Sequence, residues 1–253
     1  MLRSETRALL AGDAEGARPA ELPLVGVPEG TDVEGVALAD ADHLYLATEA
    51  RGSRDGDPIY VARLESERVV VEDQLMFTYA PFGQNGGDNE GLEGVCSGSG
   101  WLVAASEAVA AEDEERWALV GVWDGPRMKP IRVQLTSQKG KLSGLACRAT
   151  AEQIEVHAIE RHFGTMRVVR FVLPRTVPQP VESMDSKGDH ANPLDVRAEV
   201  VKDLASDLGP KPPNLEALTW VGPTTLLALS DNHYGERTGP TRAYRIDIST
   251  RDN

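Results

Sequence analysis

The chain consists mainly of short hydrophobic runs separated by turn residues. The clearest runs are Ile59 to Leu64, Val69 to Tyr79, Trp117 to Trp123 and Pro130 to Thr136. Their β-branched and aromatic residues are typical of β-strands. The segment from Ala108 to Ala118 is rich in Ala and Glu and has the composition of a helix. The repeat described next places this segment at a strand end and loop, and we follow the repeat.

One phrase occurs four times along the chain. In its fullest form it is a hydrophobic residue, a glutamate and a glycine, followed by a second hydrophobic run that ends on an acid. The copies begin near residues 33, 92, 142 and 215, and their glutamate positions are 59, 50 and 73 residues apart. The copies are Val33-Glu34-Gly35-Val36-Ala37, Leu92-Glu93-Gly94-Val95-Cys96, Leu142-Ser143-Gly144-Leu145-Ala146 and Leu215-Glu216-Ala217-Leu218-Thr219.

Four repeats of about four strands each predict an all-β fold, a small four-bladed β-propeller forming one domain over residues 1–253. The long third spacing predicts an inserted surface loop over 174–197. After the last repeat only one clear strand remains, Arg242 to Ile248. We therefore expect a segment around Leu22 to Val27 to complete the fourth blade. The alternative is five blades, with a degenerate one in the amino-terminal region or within 174–213.

Each repeat has an acidic residue at the start of its first strand and at the end of its second. In an antiparallel hairpin these two ends lie side by side. A radial arrangement of the repeats then gathers the acids around one mouth of the central channel. The first position holds Glu34, Glu93 and Glu216, with Ser143 in the remaining copy, and the second position holds Glu49, Glu107, Glu160 and Asp231.

Seven carboxylates around one narrow mouth repel one another unless a positive charge lies among them. Calcium is the best-matched metal, because it is hard and takes oxygen ligands. A cationic ligand is another candidate. The alternative is that the glutamates accept hydrogen bonds from backbone amides of neighbouring blades and hold the propeller together. The basic residues expected nearby are Lys141, Arg51, Arg161 and His162.

Composition excludes several kinds of partner. The net charge of −14 repels nucleic acid and anionic lipid. The two cysteines lack metal-site spacing, so we expect free thiols in a reducing compartment. No apolar run of signal-peptide or membrane-span length is present, and the expected location is the cytoplasm. The sequence gives no sign of the oligomeric state.

The repeats resemble those of the phytase-like "esterase-like activity" propellers. The resemblance is carried by the segment from Gly87 to Val95 and by the last copy, which continues from Leu226 to Gly235. Related uncharacterised propellers have a similar Asp-x-Glu-Gly phrase, as at 32–35 here. The resemblance implies a metal-assisted hydrolase of phosphoesters or carboxylesters. Ser143 departs from the pattern, and the basic cluster that phytate needs is not evident. The cation ligands that the resemblance implies are Glu34, Glu93 and Glu216.

Three functional hypotheses follow. The first is a calcium-bound hydrolase in which the cation polarises the scissile group of a small-molecule substrate and a mouth carboxylate or histidine activates water. The second is a non-catalytic scaffold for a basic partner. The third is an enzyme of small-molecule biosynthesis whose carboxylates bind a cationic amine. The histidines are candidates because carboxylates raise an imidazole pKa. The candidate catalytic residues are His162, His233, Glu49, Glu107, Glu160 and Asp231.

Overall fold

The protein is a four-bladed β-propeller. A computed structural model describes residues 22–49, 54–87, 90–112, 114–150, 152–162, 164–174, 193–209, 212–231 and 241–248. Within these ranges the strands form four small sheets arranged in a ring. The prediction of four blades is confirmed, and the described residues provide no fifth sheet. None of the described helices is long and apolar enough to cross a membrane.

Blades 1 and 2 each contain four antiparallel strands and a fifth strand that pairs in parallel with the outer edge. From the channel outwards, blade 1 comprises β2 (Asp32–Leu38), β3 (His43–Glu49), β4 (Gly56–Leu64), β5 (Val69–Thr78) and β1 (Leu24–Val25). Blade 2 comprises β6 (Leu92–Gly98), β7 (Trp101–Glu112), β8 (Glu115–Trp123), β9 (Lys129–Gln134) and β13 (Leu194–Arg197).

Blades 3 and 4 have fewer described strands. Blade 3 comprises β10 (Lys141–Ala149), β11 (Gln153–His162), β12 (Thr165–Pro174) and β14 (Glu199–Asp203). Blade 4 comprises β15 (Leu215–Trp220), β16 (Thr225–Ser230) and β17 (Ala243–Asp247). The described helical turns are a 3₁₀ turn at Ala80–Phe82 and a short α1 at Ala205–Leu208.

Two edge strands differ from the sequence prediction. Leu24 pairs with Val69, so the segment predicted to complete blade 4 lies on the outer edge of blade 1 instead. Leu24 packs there against a small apolar cluster with Val69 and Val71. Leu194 pairs with Ile131, so the predicted loop over 174–197 ends in a strand of blade 2. Residues 175–192 of that loop lie outside the described part of the chain.

The Ala-rich segment from Ala108 to Ala118 is not helical. It forms most of the turn end of the β7–β8 hairpin, with Ala110 paired to Trp117. Ala108 and Ala110 are buried in the core between blades 1 and 2. Small side chains fit this tightly packed sheet face, which explains why the repeat predicts the segment better than helix propensity does.

The innermost strand of each blade carries a β-bulge within the repeated phrase. In blade 1 the register shifts between Val33 and Gly35, and the extra residue is Glu34. Blades 2 and 4 repeat this arrangement at Glu93 and Glu216. A bulge re-aims a side chain, and here it turns the glutamates out of the ladder.

The glycine that follows Glu93 in blade 2 and Ser143 in blade 3 allows the inner strands of neighbouring blades to approach closely. A Cβ atom on Gly94 would lie 2.9 Å from the Leu145 side chain. A Cβ atom on Gly144 would lie 2.7 Å from the Glu216 carbonyl oxygen. Any larger residue would therefore push the inner strands of adjacent blades apart.

Hydrophobic cores fill the spaces between blades. Trp101, Trp117 and Trp123 are buried there. Cys96 and Cys147 form a disulfide bond between the inner strands of blades 2 and 3, with their Cα atoms 5.5 Å apart. The prediction of two free thiols is therefore wrong. The two cysteines are far apart in sequence, and only the packing of β6 against β10 brings them together.

A buried polar network fixes the connection between blades 1 and 2. Asp57 is fully buried and accepts hydrogen bonds from Arg54 Nη2 at 3.0 Å and from the Tyr79 hydroxyl at 2.5 Å. Arg54 Nη1 also donates to the Gly87 carbonyl at 2.6 Å. The network therefore ties blade 1 to the glycine-rich loop that leads into β6.

Tyr79→Phe is expected to lower the free energy of unfolding by about 2 kcal/mol, because a hydrogen bond to a buried carboxylate is lost. Urea unfolding measures the change. Tyr60→Phe is the matched control, because Tyr60 is also buried in blade 1 but has no side-chain hydrogen bond to the described residues. Equal losses in the two variants would contradict a role for the Tyr79 hydroxyl.

Candidate functional site

Five of the seven repeated acids lie close together at one mouth of the channel: Glu34, Glu49, Glu93, Glu107 and Glu216. The inner strands begin at this mouth, and their hairpin partners β3, β7, β11 and β16 end there. The side chains that meet come from all four blades. We use the name acidic mouth for Asp32, Glu34, Glu49, Glu93, Glu107, Glu216 and Arg161.

Arg161 lies among three of these glutamates. Its Nη2 atom is 2.9 Å from a Glu216 carboxylate oxygen and 3.4 Å from oxygens of Glu93 and Glu107. The small Ser143 side chain, which donates to the Leu215 carbonyl at 2.9 Å, stands where blade 3 lacks a glutamate. Blade 3 thus contributes a cation to the channel in place of a fourth carboxylate.

Two further side chains, Lys141 and Asn214, bind the glutamates that surround Arg161. Lys141 forms an ion pair with Glu107. Asn214 accepts a hydrogen bond from Arg161 Nη1 at 2.9 Å and donates from its amide nitrogen to Glu216 at 2.5 Å. Glu107 and Glu216 therefore each bind a basic residue of the protein. The implied role of Glu93 and Glu216 as metal ligands stays a prediction, in competition with Arg161.

Asp32, Glu34 and Glu49 form the other half of the mouth. One carboxylate oxygen from each lies within 4.8 Å of the others. Glu49 also accepts a hydrogen bond from the Gly91 amide at 2.8 Å. None of the described Lys or Arg side chains forms an ion pair with these three residues. Burial, followed by the charges of Asp32 and Glu49, raises the pKa of Glu34 to about 7.

Glu93 and Glu216 form a carboxyl pair. Glu93 is 9% exposed, and burial followed by the charges of Glu216 and Glu107 raises its pKa to about 9. Burial also raises the pKa of Glu216, against the opposing effects of Arg161 and of hydrogen bonds from Glu93 and Asn214. Near pH 7 the pair therefore holds a proton, which lies on Glu93.

Glu160 lies away from this group. It is fully buried and accepts hydrogen bonds from the Thr136 amide at 3.1 Å, the Thr136 hydroxyl at 2.6 Å and the Ser137 hydroxyl at 2.5 Å. These bonds anchor the connection from blade 2 to blade 3. Glu160 matches the alternative interpretation, in which the acids hold neighbouring blades together.

The remaining candidates have different positions. Asp231 lies at the rim of the mouth, where its amide donates to the Asn214 carbonyl at 2.8 Å and its charge raises the pKa of Glu216. His162 ends β11 and pairs with Thr165 across the hairpin. The predicted candidates His233 and Arg51 lie outside the described residues.

The sequence interpretation missed Asp32 and Asn214 as site residues. Each lies two positions before a repeated glutamate, and Lys141 lies two positions before Ser143. A residue two positions before the repeated acid lies at the same end of the inner strand. This constant offset is the signal from which their place at the mouth follows.

The fold and the site define a four-bladed propeller with an acidic channel mouth. Residues 7–234 match the phytase-like family described as "Esterase-like activity of phytase". Because the match covers most of the chain, the protein belongs to this family. The family that the repeats suggest is thereby confirmed.

Solved structures of similar fold include the phage phi92 endosialidase, with a TM-score of 0.44 and 10% identity over 88% of this chain. This chain spans 36% of the length of the endosialidase. A thermostable family-43 glycoside hydrolase has a TM-score of 0.38 and 6% identity, over 91% of this chain and 94% of its own. No curated protein matches the sequence.

Proposed function

We propose that the protein is a calcium-assisted hydrolase that cleaves a small-molecule ester at the acidic mouth. The observation that carries the proposal is the division of the mouth into two halves. One half, around Arg161, is neutralised by the protein's own basic residues. The other half, Asp32, Glu34 and Glu49, forms no direct ion pair with a described Lys or Arg side chain, and Arg54, whose charge acts on Glu49, is bound to Asp57. Membership in a family described by esterase-like activity supports the reaction class.

The second half of the mouth fits a hard divalent cation. Its three carboxylates supply oxygen ligands, which calcium prefers. A cation there would relieve the repulsion that raises the pKa of Glu34. When bound, calcium would polarise the scissile group.

A second acidic group on blade 1 fits a cation less well. Asp40, Asp42 and His43 lie close together in the β2–β3 turn. One oxygen of Asp40 already accepts hydrogen bonds from the amides of Asp42 and His43, both at 3.0 Å. His43 Nδ1 also lies 3.0 Å from the same oxygen. The ligand atoms of this group are therefore largely occupied.

Glu93 and Glu216 supply the proton transfers in the proposed reaction. As water attacks the ester carbonyl, the Glu216 carboxylate accepts a proton from that water. Glu93 donates its own proton to the leaving alkoxide as the ester bond breaks, giving a carboxylic acid and an alcohol. The pair ends with one proton, which returns from Glu216 to Glu93 through their hydrogen bond. Arg161 positions both side chains.

A carboxylester suits this mouth better than a phosphoester. Phosphate recognition requires basic side chains that are free to bind the anion. The basic side chains described at the mouth, Arg161 and Lys141, are already bound to glutamates. The surrounding carboxylates would repel a phosphate dianion. An uncharged acyl group needs no free basic side chain, and the carboxylates do not repel it.

Glu34→Gln is expected to reduce calcium-dependent ester hydrolysis at least tenfold, because one proposed calcium ligand loses its charge. The assay compares a 4-nitrophenyl ester, an alkyl carboxylester and 4-nitrophenyl phosphate, with calcium and with chelator. The matched control is the Asp40→Asn/Asp42→Asn variant, which is expected to keep full activity. Hydrolysis that is insensitive to calcium, or lost in the control alone, would contradict the assignment.

Glu93→Gln separates proton donation from substrate binding. A 4-nitrophenolate leaving group needs little protonation, whereas an alkoxide needs a proton donor. The variant is therefore expected to lose more activity on the alkyl ester than on the 4-nitrophenyl ester. Equal losses of activity on the two esters would contradict a role for Glu93 as the proton donor.

A cationic amine substrate is the second candidate. The same three carboxylates, Asp32, Glu34 and Glu49, offer an ammonium group the charge that they offer calcium. Stabilisation of the protein by a small primary amine, with no effect of calcium, would favour this function over the hydrolase.

The disulfide bond argues against the expected cytoplasmic location. Disulfide bonds persist mainly in oxidising compartments. The only two cysteines of the chain, Cys96 and Cys147, are joined. We therefore infer that the protein functions in an oxidising compartment, and thiol labelling of protein from its native host tests this. Reactive thiols in freshly extracted protein would contradict the inference.

A further inference from the structure

A cavity lies between blades 3 and 4, at the ends of the strands opposite the acidic mouth. Its volume is about 790 Å³, and no residue of the acidic mouth lines it. This volume is in the range of small-molecule sites, which is ~300–1,000 Å³. We use the name blade 3–4 cavity for this space, whose walls include Arg148, Glu155, His157, Arg170, Glu199 and Trp220.

The cavity lies where one face of β11 changes from apolar to polar side chains. Near the mouth, Ile159 packs with Leu218 in the apolar core between the blades. Further along the same face, the alternate residues His157 and Glu155 are polar. Blade 4 meets this polar stretch through Trp220, which contacts His157, and the cavity lies beside that contact.

Two ring nitrogens at the cavity have no hydrogen-bond partner. His157 is 3% exposed, and its Nδ1 atom has no hydrogen-bond partner, although a Glu155 carboxylate oxygen lies 3.6 Å away. The buried Nε1 atom of Trp220 is also unpartnered. The two rings meet edge to face with centroids 4.9 Å apart. Buried polar atoms in proteins are nearly always hydrogen-bonded, so an unpartnered pair in one cavity indicates a missing partner.

The two unpartnered ring nitrogens belong to neutral rings. Burial lowers the pKa of His157 to about 4, so its imidazole is neutral near pH 7. Trp220 Nε1 carries a neutral N–H group. The unsatisfied groups of the cavity are thus neutral donors and acceptors.

The wall of the cavity carries charged residues of both signs. Arg170 forms ion pairs with Glu155 at 3.1 Å and with Glu199 at 2.5 Å. Arg148 supplies the second positive charge and stacks on Trp220, with its guanidinium carbon 3.2 Å from the ring centroid. Arg148 also donates to the carbonyls of Gly222 and Pro223. With Lys202, Asp203 and Asp247 included, three positive and four negative side chains line the cavity, so charges of both signs nearly cancel there.

We propose that the blade 3–4 cavity binds a neutral, hydroxyl-rich molecule about the size of a disaccharide. Hydroxyl groups both donate and accept hydrogen bonds, which matches a wall of paired charges and neutral ring nitrogens. Recognition is by hydrogen bonds, because Arg148 already covers the face of Trp220. An anion would meet Glu155 and Glu199, and a cation would meet Arg148 and Arg170. This site does not depend on the proposed hydrolase activity.

The test combines calorimetry with NMR of protein labelled with ¹⁵N-tryptophan. The probes are maltose, cellobiose and trehalose, with gluconate and glucosamine as charged comparators. At least one neutral disaccharide is expected to bind saturably and to shift the Trp220 indole N–H signal. The signal of Trp117, whose Nε1 is also buried and unpartnered but lies in blade 2, is expected to stay unchanged.

Trp220→Phe and His157→Phe are expected to weaken calorimetric binding at least tenfold, because each removes one ring nitrogen. Glu199 lies on the exposed rim of the cavity, so Glu199→Gln is expected to fold normally. This variant is expected to weaken binding about threefold. Arg63→Gln on blade 1 is the control and is expected to bind like the wild type. The proposal fails if no disaccharide binds saturably, if a charged comparator binds more tightly, or if the variants bind like the control.

Discussion

Replacing Arg161 with methionine is expected to lower the free energy of unfolding by about 3–5 kcal/mol at pH 8. The variant leaves Glu93, Glu107 and Glu216 close together without the guanidinium that bridges them. Lys141 still neutralises Glu107, but the Glu216 carboxylate loses its cation in a poorly hydrated space. Breaking a buried ion pair from one side costs most when the partner stays charged.

The loss in Arg161→Met is expected to be smaller at low pH. The pH dependence comes from Glu216, whose raised pKa Arg161 opposes, because Glu93, with a folded pKa of about 9, stays protonated between pH 5 and pH 8 with or without Arg161. A raised carboxyl pKa contributes stability that is complete below the ordinary value of 4.5 and is lost as pH rises through the folded value. Removal of Arg161 raises the pKa of Glu216 further, so the destabilisation grows as the pH rises from 5 to 8.

Urea unfolding at the two pH values measures this dependence. Arg63→Met is the control, because Arg63 forms only exposed ion pairs, with Glu65 and Glu72. Such pairs contribute about 0–1 kcal/mol. An Arg161→Met variant that matches this control, or that loses the same stability at both pH values, would show that Arg161 does not neutralise the mouth.

Removal of the disulfide bond is expected to cost about 4 kcal/mol. Cys96 and Cys147 are 51 residues apart, and a bond that closes a loop of this length restricts the unfolded chain by about that amount. The Cys96→Ala/Cys147→Ala variant and reduced wild type are expected to unfold at the same, lower urea concentration. Each single Cys→Ala variant is expected to match the double variant, because either substitution breaks the bond.

The oxidised wild type is the reference for this comparison. If reduction does not change its unfolding midpoint, the bond contributes nothing to stability, and the expectation is wrong. A midpoint that falls only in the alanine variants would indicate packing loss in the channel wall rather than loss of the bond.

The sequence predicts the architecture well because the repeat encodes it. The copies at Glu34, Glu93 and Glu216 recur with the same flanking hydrophobic pattern, and hairpin geometry places both acidic positions on one face. The convergence of these acids therefore follows from register alone. Edge strands such as Leu24–Val25 carry no such signal, because a two-residue parallel pairing depends on which edge is free and near.

The division of the mouth is harder to predict from the sequence. Arg161 is one of four basic candidates, and its choice depends on the space beside Ser143 and on side-chain reach across the channel. The structural role of Glu160 depends on Thr136 and Ser137, which belong to the preceding blade. Contacts between blades are set by packing around the ring, which a pattern along one strand does not contain.

Calcium titration by calorimetry, on protein first treated with chelator, tests the central claim most directly. The claim is that Asp32, Glu34 and Glu49 hold the cation, while Arg161 occupies the half of the mouth that contains Glu93. The wild type and Glu93→Gln are expected to bind one calcium ion per chain, and Glu34→Gln is expected to bind none. Absence of calcium binding in the wild type, or its loss in Glu93→Gln with retention in Glu34→Gln, would contradict the claim.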